Sequence, residues 1–182
     1  MLKNKDILDE SNKILKKISN EVVFPMDKKD LKNIDLMIEY LTNSQIEEKA
    51  QKYNLRPGMG MAGVQLGVLK RYFVVVLEIE VEVFETYVIV NPKILSTSSE
   101  LIYVEDGEGC LSVNRETEGI VLRHARITIE CFNTNGDKLK IRAREDLAIA
   151  FQHEIDHLNG IMFTDKIDKT NPFKDKDLYR SI

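Results

Sequence analysis

Asp146-Leu147-Ala148-Ile149-Ala150-Phe151-Gln152-His153-Glu154-Ile155-Asp156-His157 is the stretch on which the reading of this chain turns. Asp146 is placed to cap a helix, the apolar residues after it supply a buried body, and Gly160 lies where a left-handed residue ends one. On that helix His153 and His157 are one turn apart, so both imidazoles leave the same face and can grip one metal ion. Glu154 is rotated from His153 by about 100°, which removes it from the pincer but leaves it able to reach a water beside the ion. A pair of histidines at this spacing is often only a surface feature. Here the chain has three histidines in all and the flanks are apolar, which favours ligands.

A third ligand separates the possible chemistries. Zinc peptidases with this helix usually take a glutamate or histidine from further along the chain. After His157 there are only aspartates, among them Asp165, Asp168, Asp175 and Asp177, in a lysine-rich tail that reads as a solvated terminus. The ligand is therefore sought upstream, where two cysteines compete. Cys131 lies in the alternating segment Arg126-Ile127-Thr128-Ile129-Glu130-Cys131-Phe132 and reads as a strand residue packed as a small hydrophobe. Cys110, in Glu108-Gly109-Cys110-Leu111-Ser112, has glycine-loosened surroundings that allow close approach, and is the better candidate.

Three separated motifs now carry a family resemblance. Gly58-Met59-Gly60-Met61-Ala62-Gly63-Val64-Gln65, Glu108-Gly109-Cys110-Leu111-Ser112 and Gln152-His153-Glu154-Ile155-Asp156-His157 resemble the three signature motifs of peptide deformylases, in the same order. The resemblance runs from Asp6-Ile7 and Glu21-Val22 through Met162-Phe163. It departs at Gly63, where the family commonly has a second alanine; loss of that methyl is expected to loosen local packing.

The resemblance implies a metal held by Cys110, His153 and His157, and hydrolysis of the N-formyl group from the amino-terminal methionine of newly made polypeptides, giving formate and a free amine. Glu154 is the expected general base, and the resemblance adds the Leu111 backbone N–H and the Gln65 amide as oxyanion donors. Softness and an open fourth position suggest zinc on their own; the resemblance implies ferrous iron, with zinc, nickel or cobalt able to replace it. Thiolate and ferrous iron together imply oxygen sensitivity.

Gly58-x-Gly60 lacks the context of a phosphate loop, so Met59 and Gly60, with Gly109, are expected to meet an extended substrate backbone as in strand addition. Ile149 and Ala150, about one turn before His153, are expected to line the methionine slot. Asp156 is expected to pair with an arginine such as Arg123, His124 to be structural, and Glu108 to anchor its loop. Two rivals are a zinc peptidase cutting internal bonds, disfavoured by the missing downstream ligand, and a non-catalytic metal-stabilised module, which has no use for Glu154 or Gln65.

At 182 residues and 43% hydrophobic, the chain suits one catalytic domain over 1–182. A net charge of −4 without a basic run argues against nucleic acid as the main partner, and no direct nucleic-acid or membrane binding is expected; formylated nascent peptides and a transient ribosome contact are expected instead. No stretch approaches the ~18 apolar residues of a membrane span, and Met1-Leu2-Lys3-Asn4-Lys5-Asp6 lacks the apolar core of a secretion signal. A reducing cytoplasm fits two unpaired cysteines. The short tail, without the long helix some relatives carry, resembles the deformylase class typical of Gram-positive bacteria and mollicutes.

Along the chain, Asp27 is expected to cap a helix with a Leu31, Ile34, Ile38, Leu41 stripe that runs to Tyr53 before Pro57. Residues 71–91 read as strand with a turn between Glu80 and Glu85, 94–104 as further strand, and 120–132 and 138–143 as strands around the Asn133-Thr134-Asn135-Gly136-Asp137 hairpin. The sum is an α+β fold in which antiparallel-rich sheets pack around the central helix bearing both ligand histidines.

Overall fold

The computed structural model describes residues 1–182. Alternation along the strands produces the main sheet. In Arg126–Phe132 (β6), Ile127, Ile129 and Cys131 are buried while Arg126, Thr128 and Glu130 face outward, and Lys138–Arg144 (β7) pairs with it antiparallel. The turn between them forms as its residues demand: Asn133 Oδ1 accepts from the Asn135 and Asp137 amides, and Gly136 takes a φ of 88°.

Gly60–Ala62 (β1), Tyr72–Glu80 (β2) and Val83–Thr97 (β3) complete a five-stranded antiparallel sheet in the order β1-β2-β3-β6-β7. The β2–β3 turn falls at Val81–Glu82, where the left-handed residue is Glu82 at a φ of 57°. Its amide is taken up by the Glu78 carboxylate at 2.8 Å, which explains how a turn forms with neither glycine nor proline.

The expected strand over 94–104 is interrupted. β3 ends at Thr97, and Leu101–Tyr103 (β4) belongs to a second sheet, between Arg123–His124 (β5) and Arg180–Ser181 (β8). The tail is thus not a loose solvated terminus. Arg180 pairs with Glu100 and Glu145, and β8 runs parallel to β4. Residues 120–122, expected as strand, carry no ladder pairing.

Helix formation departs from expectation at two caps. Lys28–Gln45 (α1) begins just after Asp27, but the Asp27 carboxylate binds Lys70 Nζ at 2.6 Å instead of capping. Ile46 then breaks the helix, and Glu47–Tyr53 is a separate α2. The buried stripe of α1 is Ile34, Met37, Tyr40 and Leu41; Leu31 is exposed. Glu145–Leu158 (α3) starts one residue before Asp146, so Asp146 lies inside its first turn, and Arg144 occupies the cap.

The two faces of the main sheet are covered differently. Phe73, Val75, Ile89, Ile127, Ile129 and Cys131 pack with Ala148, Phe151, Ile155 and Leu158 of α3 on one face. Tyr72, Val74, Val76 and Val90 pack with Ile34, Met37 and Leu41 of α1 on the other. Every residue of α3 from Phe151 to Leu158 is buried, which puts its polar side chains inside the protein. Buried polar groups persist only when paired or used, so these positions mark the site.

Candidate functional site

The ligand atoms of Cys110, His153 and His157 all lie within 4.8 Å of one another. Cys110 Sγ is 3.3 Å from His157 Nε2, and the ring centroids of the two histidines are 5.0 Å apart. The thiol arrives on the 107–113 loop, where the Ser112 amide points at Sγ from 3.4 Å. Burial pulls His157 well below its ordinary pKa, so the ring is neutral and offers a lone pair. A sulfur and two imidazoles clustered with no protein group between them suit a divalent transition metal.

A buried ionic chain sets the orientation of His153. Its Nδ1 meets Glu108 Oε2 at 2.8 Å, which turns Nε2 toward the cluster. Glu108 in turn takes a fork from Arg123, at 2.7 and 2.9 Å, and Arg123 also binds Asp156, which Lys166 reaches at 3.0 Å. Burial opposes ionisation of Glu108, but Arg123 and His153 outweigh it and hold the carboxyl down at about 2. The pairing of Asp156 with Arg123 and the anchoring role of Glu108 thus both appear in the structure.

His124 is structural, with Nδ1 at 2.7 Å from the Ser98 carbonyl. Its backbone N–H and C=O are both bonded by the Gln152 amide, which ties β5 to α3.

Glu154 is also buried, and one of its carboxylate oxygens has no hydrogen-bond partner. Burial pushes the carboxyl up to about 7, where a group both accepts and returns a proton near neutrality. Gln65 is held by its own backbone turn. Its Oε1 accepts from the Ala62 amide at 2.8 Å, leaving Nε2 to donate to Ser112 Oγ at 3.1 Å and to approach Cys110 Sγ at 3.7 Å.

A cleft of about 510 Å³ opens over these groups. Met59, Gly60, Gln65, Gly109, Cys110, Leu111, Ile149, Ala150, His153 and Glu154 all line it, so the structure gathers the residues singled out from sequence on one wall or another. His157 stands behind, buried at 1% exposure. Gly60 is needed for closeness: a Cβ there would stand 2.9 Å from Glu154 Cδ. The strand is held by Gln45, whose amide donates to the Gly58 and Val76 carbonyls.

Arg56, Val104 and Ser112 were not legible as site residues. Arg56 lines the cleft and donates to the Leu111 and Val113 carbonyls, with Nη1 at 3.1 Å from the latter. Its position directly before Pro57 and the glycine-rich motif is the sequence signal that could have drawn notice. Ser112 lies inside a quoted motif, and only the fold shows its hydroxyl under Gln65.

An α+β scaffold carrying two helical histidines, an upstream cysteine and a buried carboxylate at an open cleft has the make-up of a metal-dependent hydrolase, with a group that could hold a metal completed from upstream of the helix. Comparison with known proteins narrows this. The family model for polypeptide deformylase matches residues 4–173. A peptide deformylase of Bacillus anthracis is 45% identical over 177 residues, covering 97% of this chain and 96% of its own. One from Listeria monocytogenes is 47% identical over 172 residues, 94% of each chain. The crystal structure of the Thermotoga maritima peptide deformylase superposes with a TM-score of 0.69 at 30% identity, covering 89% of this chain and 96% of that one.

The chain belongs to the polypeptide deformylase family, and its curated relatives include enzymes of Bacillus and Listeria, as a Gram-positive-like sequence should. It is a hydrolase that removes the N-formyl group from newly made polypeptides.

Proposed function

We propose that Cys110, His153 and His157 hold one divalent ion, ferrous iron by preference with zinc, nickel or cobalt able to substitute, and that the whole chain, 1–182, acts as a single catalytic domain. When bound, such an ion supplies Lewis acidity to the formyl oxygen and to water. The observation that carries the reading is the convergence of the three ligand atoms beside a buried Glu154 with an unpartnered oxygen.

The remaining work belongs to side chains of the chain itself. Glu154 takes the proton of the attacking water and delivers it to the leaving amine, which its raised pKa suits. The Gln65 Nε2–H and the Leu111 N–H stabilise charge that develops on the formyl oxygen. Met59, Gly60 and Gly109 border the peptide backbone, and Ile149 and Ala150 the methionine side chain. A related deformylase from Acinetobacter baumannii, 28% identical with a TM-score of 0.69, was solved with Met-Ala-Ser bound. The same tripeptide end is the substrate remnant we assign to this cleft.

No helix is long and apolar enough to cross a membrane. A cytoplasmic setting is consistent with a reduced Cys110 at the ligand position.

Formate release from formyl-Met-Ala-Ser by anaerobically prepared, iron-loaded protein tests the reading, with Glu154→Ala beside it. Intact protein should turn over and the variant should lose activity by about 10²–10⁴-fold. Equal rates would sink the role of Glu154, and full metal retention by Cys110→Ala would refute the ligand set.

A further inference from the structure

The outer face of the main sheet is only half covered. α1 lies over β2, β1 and part of β3, whereas β6 and β7 turn the same face to solvent. On β7 that face consists of Lys138, Lys140, Arg142 and Arg144, each exposed, with Leu139, Ile141 and Ala143 pointing the other way. Cross-strand partners add Arg126 opposite Arg144, and Lys93 beside Glu130. Carboxylates neutralise only part of this: Lys138 pairs with Glu130 at 2.8 Å and Arg126 with Glu100 at 2.7 Å. Lys93, Lys140, Arg142 and Arg144 have no carboxylate partner, in a chain whose net charge is −4.

A second observation coincides with the first. A groove of about 450 Å³ runs alongside, lined by Arg126, Arg142 and Arg144 and by the hydroxyl-bearing Ser96, Thr97 and Ser99, while the Ser98 hydroxyl is taken by the Glu100 carbonyl. Guanidinium groups facing hydroxyls are the donor set of a phosphate contact. Lysines on an edge strand also deter sheet-to-sheet aggregation, but that purpose does not call for arginines grouped around a polar groove.

We propose that this face binds the phosphate backbone of single-stranded RNA. Outward cations on one strand recur at roughly 6.8 Å, a regular row suited to a repeating polyanion. No aromatic side chain lines the groove, so the contact is to backbone and is indifferent to sequence. An acidic peptide offers the same charge to these donors, and the polyglutamate competition described below separates it from RNA. The row ends at Arg144, directly before the first turn of α3, where Asp146 lines the substrate cleft. The surface is independent of the role assigned to any residue in that cleft.

Anisotropy of a fluorescein-labelled RNA of about 20 nucleotides reads the binding directly. With four phosphates neutralised, the salt slope should be about −2.8, so affinity should fall about 50-fold between roughly 50 and 200 mM salt. Lys140→Glu/Arg142→Glu should halve the slope and weaken low-salt binding by at least about tenfold, and Arg142→Gln should move both in the same direction. Lys29→Glu/Lys32→Glu on α1 changes net charge equally and should leave binding within about twofold. Melting temperature and formyl-peptide hydrolysis should match the parent in all variants, which separates this test from that of the cleft. Absence of binding at low salt, or equal loss in the α1 control, would overturn the proposal. So would competition by polyglutamate or inorganic phosphate as effective as that by unlabelled RNA.

Discussion

Gly63→Ala restores the alanine common in the family, and in this chain it should destabilise. A Cβ at Gly63 would stand 2.9 Å from Tyr72 Cζ and 3.0 Å from Cε2, well inside contact distance. The Tyr72 ring is fully buried in the cluster it shares with Met37, Leu41 and Val74 between β2 and α1. Overpacking of a full core costs about 1–3 kcal/mol. Gly63 does not have a left-handed φ, so alanine also gains about 0.4–1 kcal/mol by restricting the unfolded chain. The net expectation is a loss of up to about 2.6 kcal/mol in urea unfolding, or as much as a few degrees in Tm for a chain of this size. In a Tyr72→Val background the same substitution should become neutral or stabilising, a coupling of at least about 1 kcal/mol. Gln65 lies two residues on, so hydrolysis should fall with the single variant and recover in the double. A Gly63→Ala variant as stable as the parent, with no coupling to position 72, would refute the reasoning. The departure at Gly63 would then be loose packing, as the sequence suggests, instead of room made for a tyrosine.

Other expectations follow from the same geometry. Gly60→Ala should drive the Glu154 carboxylate out of place and lower kcat by about 10²-fold or more with metal content unchanged; a rate within threefold of the parent (about 0.7 kcal/mol) would show that Glu154 has room. Arg123→Met should cost about 3–5 kcal/mol by leaving Glu108 and Asp156 buried without their cation, read by thermal unfolding; Tm within a degree or two would contradict that. Arg56→Lys should keep the fold but loosen the Leu111 carbonyl, lowering kcat more than it changes KM for a formylated tripeptide. Alkaline stability should fall, because burial pushes Cys131 up to about 11 and Tyr72 up to about 12 while the unfolded chain ionises at ordinary values. These contributions are intact below about pH 9 and are lost as pH rises through the folded values, on the order of 2–3 kcal/mol each. Cys131→Val and Tyr72→Phe should flatten that decline in urea midpoints, and an unchanged slope would count against it.

The chemistry of the centre was legible because it is local. His153 and His157 share a helical face by spacing alone, and alternation along 126–132 and 138–143 identifies strands whose paired faces the structure reproduces. Caps were less legible. Asp27 and Asp146 have the right residue type at a helix start, but Lys70 takes the first and the chain enters α3 a residue earlier than the second allows. Leu31 belongs to the apolar period of α1 and is nonetheless exposed, since the sheet meets the helix along Ile34, Met37 and Leu41.

By itself the sequence determined which groups can do chemistry: two imidazoles one turn apart, a carboxylate beside them, a cysteine in a glycine-rich loop and a glycine-rich strand. Periods of 3.6 and 2 are properties of neighbouring residues, so they need no fold to be read. Only the tertiary structure decided that Cys110 stands 3.3 Å from His157, that Arg123 links Glu108 to Asp156 inside the protein, and that Gly63 faces Tyr72. It also decided that cations diluted by apolar residues along β7 share one open face. Such relations arise from elements distant in sequence meeting in a single packing, and the burial that raises Glu154 to about 7 exists only after they have met.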